Sequence, residues 1–206
     1  MKLPLAALVI FNLLTLAVAL YMGWDPAMIL FLYWAENVVV AIWQLPRFFL
    51  AENDRPNDGY KPLNRLFICL FFLIHYGIFT FVHGSLVFEL FLDQDLNREN
   101  LLALVSGTPG ITLALAGLFL SHGVQFFSDL GRNITTRTKL ATVMMQPYRR
   151  IVILHLVVLL SGLALNYLPD PTVSIILLAV IKIGMDFYLD RKLMQKQEAA
   201  HHVPQF

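Results

Sequence analysis

The sequence predicts an all-α polytopic membrane protein, a bundle of six transmembrane helices with both termini on the cytoplasmic side. Three observations carry this reading. Of the 206 residues, 58% are apolar and only 14% are charged, about half the charged share of an ordinary soluble domain. The apolar residues fall in six nearly continuous runs, each close to the roughly 20 residues that a spanning helix needs. The basic residues between the runs gather on one side. A formal net charge of +1 rules out a nucleic-acid binder working through bulk charge. The single cysteine, Cys69, excludes an internal disulfide framework and a multi-thiolate metal site.

The runs are Leu3–Tyr21, Ala27–Pro46, Leu66–Leu92, Thr108–Leu130, Tyr148–Leu168 and Thr172–Leu189. Lipid offers no water to backbone groups, so each run is expected to be helical. The first run has Lys2 before it and Ala17-Val18-Ala19 near its end, which reads like a signal-peptide cleavage site. The second run begins only a few residues later, which argues for a retained first span. Asp25 before Pro26 marks the start of the second helix, and Pro46 stops or kinks it. Pro109, Pro147 and Pro171 mark later starts in the same way. Residues 1–190 then form the transmembrane domain and 191–206 a short cytoplasmic tail.

Charge sets the orientation. With six spans, Lys2, Arg47, Arg55, Lys61, Arg65, Arg132, Arg137, Lys139, Arg149, Arg150, Arg191, Lys192 and Lys196 share one side, and only Arg98 lies opposite. That side is the cytoplasm. There is no room for a soluble catalytic module, so any chemistry must use the helices or the short loops.

The ionisable residues inside the predicted spans include Glu36, His75, His83, His122, His155, Lys182 and Asp186. Such groups are costly in a bilayer, face the bundle interior and mark function. At about 1.5 Å rise per residue, Glu36, His75, His122, His155 and Lys182 stand roughly 9–16 Å in from the cytoplasmic ends, a single layer, with Asp186 shallower at about 6 Å. His83 lies about 12 Å further out than His75 and about 80° around the helix, so it belongs to another contact. Helical spacing places His122, Gln125 and Asp129 on one inward face and Tyr76, Thr80 and His83 on another.

Imidazole and carboxylate groups together suit a divalent metal, zinc or iron. The leading expectation is a metal-dependent intramembrane enzyme, a hydrolase or oxidoreductase, acting on a lipid or other amphiphile. Its ligands would be His75, His122 and His155 with Glu36, and Glu36, Asp186 and Lys182 would be its catalytic groups. A proton-coupled transporter or proton relay is the first alternative, with Glu36, Lys182 and Asp186 titrating and the histidines passing protons. A structural or assembly protein, whose histidines only tie helices together, is the second. No His-Glu-x-x-His helix and no Gly-x-Ser-x-Gly elbow is present. Trp24, Trp34 and Trp43 need only interfacial or packing roles, and Arg149 and Arg150 read as anchors at the cytoplasmic mouth.

Several phrases occur together along the chain: Tyr33-Trp34-Ala35-Glu36-Asn37, His75-Tyr76-Gly77, His83-Gly84, Ser121-His122-Gly123, Pro147-Tyr148 with Arg150-Ile151 and His155, and Lys182-x-Gly184-x-Asp186. In these the chain resembles a family of bacterial integral membrane proteins of unknown function. The resemblance implies a multi-pass protein of the bacterial inner membrane, with the lipid bilayer as its partner. It supplies no activity and no site residue.

Overall fold

A computed structural model describes residues 17–54 and 61–167, together with Val173, Val180, Ile181, Gly184 and Tyr188. Among the described residues the architecture is all-helical. A helical stretch at 17–22 leads into α1 (Pro26–Leu50), α2 (Pro62–Phe91), α3 (Arg98–Gly107), α4 (Ile111–Gly131), the short α5 (Ile134–Arg137) and α6 (Leu140–Tyr167). Four helices are long and apolar enough to cross a membrane: α1, α2, α4 and the first part of α6. They match the second to fifth predicted spans. The first and sixth predicted spans lie largely outside the described residues.

α1 is the central helix and packs against α2, α4 and α6. It starts where the sequence says it should. The Asp25 carboxylate accepts a hydrogen bond from the Ala27 amide at 2.8 Å, and Pro26 stands at the first helical position, where no amide donor is needed. Pro46 does not stop the helix, which runs on to Leu50. The outward faces of the bundle are apolar. Phe67, Ile74 and Phe81 on α2 and Leu113, Leu120 and Phe127 on α4 are exposed, a surface suited to hydrocarbon rather than water.

Two elements differ from the sequence reading. The surface helix α3 occupies what read as a plain connection. Asn97 caps it by accepting from the Asn100 amide, and Leu101, Leu104 and Val105 pack onto the core. At ten residues it is too short to register as a span. The fifth span begins at Leu140, so Pro147 lies inside α6 instead of opening it. A proline there has no amide for the carbonyl of Val143, one turn earlier. Gln44 of α1 takes that role, donating Nε2 to the Val143 carbonyl at 2.6 Å. A buried polar side chain on one helix thus repairs the backbone of another. At the same end, the chain after α1 docks beside the start of α6: Glu52 and Lys139 form a backbone bridge, and Asp54 Oδ1 accepts from the Ala141 amide at 3.0 Å.

Each tryptophan does more than fill space. Trp34 Nε1 donates to the Thr80 carbonyl of α2 at 2.7 Å, and Trp43 Nε1 to the Phe119 carbonyl of α4 at 3.1 Å. Nine residues apart, they project from opposite sides of α1, so each clasps a different neighbour. Each indole lies over a glycine one turn beyond the carbonyl it binds. A Cβ on Gly84 would stand 2.5 Å from Trp34 Nε1, and one on Gly123 would stand 2.7 Å from Trp43 Cζ2. Gly84→Ala is therefore expected to destabilise the α1–α2 contact by about 1–3 kcal/mol through overpacking. Unfolding in detergent checks this, and Gly77→Ala is the control, because a Cβ there meets nothing within 4 Å.

Candidate functional site

The apolar interior is divided. One cluster gathers Trp24, Leu30, Phe31, Phe88, Ile111 and Leu154 among others, and a second gathers Phe48, Phe72, Tyr76, Val143 and Ile151. On α1 the buried members of the first cluster end at Ala35, and the second cluster's first buried member is Phe48. The polar pair Glu36 and Asn37, both buried, falls between.

Glu36 is the centre of this layer, with 3% of its surface exposed. Its Oε1 accepts from His122 Nε2 of α4 at 3.2 Å and from Arg150 Nη1 of α6 at 2.9 Å. One carboxylate therefore joins three helices. Glu36 is almost fully buried and Arg150 partly so, which makes their attraction stronger than that of a surface pair, and leaving the Glu36 charge alone would be costly. An ionised carboxylate only accepts, so with Glu36 charged beside Arg150 the hydrogen of this contact is assigned to His122 Nε2. Beside Glu36, Asn37 Nδ2 donates to the Tyr33 carbonyl at 2.7 Å and Tyr76 OH reaches Asn37 Oδ1 at 3.3 Å.

A cavity of about 20 Å³ opens against this cluster, lined by Tyr33, Glu36, Asn37 and Arg150 on its polar side and by Ile153, Leu154 and Val157 on its apolar side. It has room for about one water molecule. Arg150, Ile153, Leu154 and Val157 recur at the spacing of one helical face, so α6 turns a single stripe towards α1.

The predicted histidines do not meet at one point. His122 joins Glu36. His75 is exposed, stacks on Phe71 and places Nδ1 3.0 Å from Tyr148 OH. His155 is also exposed, and its Nδ1 stands 3.1 Å from His83 Nε2. Among the described residues no three His, Cys, Asp or Glu side chains group as ligands of one metal ion. The expected set of His75, His122, His155 and Glu36 is therefore reduced to the His122–Glu36 pair. Equal depth fixes one dimension only, and the rotation of each helix sends the other two histidines to different seams. Lys182 and Asp186, the remaining predicted catalytic groups, lie outside the described residues.

The inward stripes are as the spacing indicated. Tyr76, Thr80 and His83 are all buried, and Asp129 on the His122 face pairs with Arg47 of α1 at 3.0 Å. The site residue that the sequence reading missed is Arg150. Placing the helix start at Tyr148 made it an anchor at the membrane face. With the start at Leu140, it stands roughly 15 Å along α6. The mostly apolar, uncharged stretch from Leu140 to Met145 ahead of Pro147, interrupted only by Thr142, was the available signal.

No curated protein and no solved structure matches the chain. A family model covers residues 1–203, and the chain belongs to that family, a family of unknown function designated DUF6498.

Proposed function

We propose that this chain is a proton-coupled transporter or proton relay of the membrane, with Glu36 as its proton-accepting group and His122 as the group that exchanges protons with it. The observation that carries the reading is the Glu36 carboxylate itself: buried, held by both His122 and Arg150, and bordering a water-sized cavity. A proton arriving through that cavity meets the Glu36 carboxylate, whose Oε1 stands 3.2 Å from the His122 Nε2 that donates to it. When Glu36 takes it, the attraction to Arg150 is lost and α1 is released from α6. When the proton leaves, the pair re-forms. This is a two-state element whose balance a proton shifts.

The same proposal places the chain as a six-span protein of a bacterial inner membrane with both termini cytoplasmic. The lopsided distribution of basic residues supports this. A metal-dependent enzyme acting on an amphiphile has less support, because only two of its four expected ligands come together.

The test is proton flux into vesicles containing the purified full chain. A pH gradient is expected to drive flux in the wild type, and Glu36→Gln to reduce it to the level of empty vesicles while the protein stays folded. Flux that is unchanged in Glu36→Gln would overturn the reading. Absent flux in the wild type, with folding that depends on the Glu36–Arg150 contact, would leave the structural role.

A further inference from the structure

The histidines that do not reach Glu36 form a contact of their own. His83 of α2 is 5% exposed, whereas His155 of α6 lies at the bundle surface. His83 Nδ1 stands 2.8 Å from the Phe79 carbonyl, and its Nε2 stands 3.1 Å from His155 Nδ1. The rings meet edge to face, with centroids 5.3 Å apart and an interplanar angle of 79°.

The partners at these distances assign the tautomers. A carbonyl only accepts, so His83 Nδ1 carries a hydrogen and donates to Phe79. In the neutral ring Nε2 is then a bare acceptor, and His155 must present Nδ1–H to it. That leaves His155 Nε2 bare, on the far side of its ring from His83. A proton added there makes His155 an imidazolium and turns the N–H···N contact into a charge-assisted hydrogen bond, roughly twice as strong as the neutral one. The bridging hydrogen can also move to His83 Nε2, which places the charge on His83. His83 then donates from both nitrogens, to Phe79 and to His155, and every polar atom of the buried ring is satisfied.

A second proton has no such place. It would set N–H against N–H across 3.1 Å, with two cations in contact. We infer that His83 and His155 form a proton-binding station on the α2–α6 seam that takes up one proton between them, apart from the Glu36 site.

The surroundings suit a single charge. At this level α1 brings the uncharged Trp34 against Thr80 and Gly84. Among the described residues, the ionisable groups nearest along the packed helices are Tyr76 and Glu89 on α2, Tyr33 and Glu36 on α1, and Arg150 on α6; Glu89, six residues beyond His83, is exposed. Of these, Glu36 and Arg150 neutralise each other. The inference does not depend on the role given to Glu36, because it concerns how this pair binds a proton and not whether protons cross the membrane.

Nitrogen-15 NMR of the histidine-labelled full chain in bilayers reads it directly, with His83→Gln used to assign the signals. The expected result is a coupling across the hydrogen bond between His83 Nε2 and His155 Nδ1. On acidification the pair gains a single proton, and one of the facing nitrogens stays bare. Two outcomes would overturn the inference: full protonation of all the ring nitrogens with the coupling lost, or two rings that stay neutral throughout.

Discussion

Replacing Arg150 with Met is expected to lower the stability of the folded protein by about 3–5 kcal/mol, the usual cost of removing one partner from a buried ion pair. The loss comes less from the missing contact than from what remains, a Glu36 carboxylate that is 3% exposed and has lost the Arg150 counter-charge. The aliphatic stem of Met keeps the packing against the face that Ile153, Leu154 and Val157 share. Adding Glu36→Gln should then recover much of the loss, because a neutral amide needs no counter-charge. A double-mutant cycle by unfolding in detergent measures this, with the two single changes far from additive. Additive changes would show that the two side chains act independently.

Arg65→Met is expected to have an effect of similar size, about 3 kcal/mol or more, for a different reason. Arg65 is 3% exposed, and its guanidinium donates to the Phe48 carbonyl at 2.6 Å, the Ala51 carbonyl at 2.8 Å and Asn53 Oδ1 at 2.7 Å. It closes the C-terminal end of α1, where the last carbonyls lack helical partners and the helix dipole favours a cation. Met supplies no donor, so those carbonyls would be buried without one. Arg65→Lys should restore only part of the loss, because a single ammonium cannot reproduce the planar fork that reaches all three acceptors. Thermal unfolding of the pair of variants checks the order: wild type, then Lys, then Met. Equal stability of all three would show that this end of α1 needs no cap.

The fold was legible where one physical constraint dominates. Long apolar runs must be helices in lipid, and Asp25-Pro26 announces a helix start with little competition from packing. The start of α6 was not legible, because a proline usually opens a helix. The remedy for an internal Pro147 is Gln44, almost a hundred residues away. That one boundary hid Arg150, since a residue assigned to the membrane face is not sought in the interior.

For the site, the inward stripe of His122 and Asp129 followed from helical spacing alone, and Glu36 from the cost of burying a carboxylate. Which histidine meets which partner did not follow. His75, His122 and His155 have similar depths, but their partners depend on how each helix is rotated about its axis. That rotation is set by contacts such as Trp34 on Gly84 and Trp43 on Gly123. These two glycines directly follow His83 and His122, so the tryptophan clasps also fix where those histidines point. The phrases His83-Gly84 and His122-Gly123 thus join a packing residue to a chemical one, which a single sequence does not reveal.

In the proposed relay, Glu36 takes up and releases a proton inside the bundle. Infrared difference spectroscopy of the full chain in bilayers, recorded across a step from neutral to acidic pH, tests it most directly. A carboxylic-acid carbonyl band that appears on acidification in the wild type and is missing in Glu36→Gln is the predicted result, with the band shifted in a His122→Gln variant. Wild-type and Glu36→Gln difference spectra that coincide would contradict the account, because Glu36 would then keep one protonation state throughout.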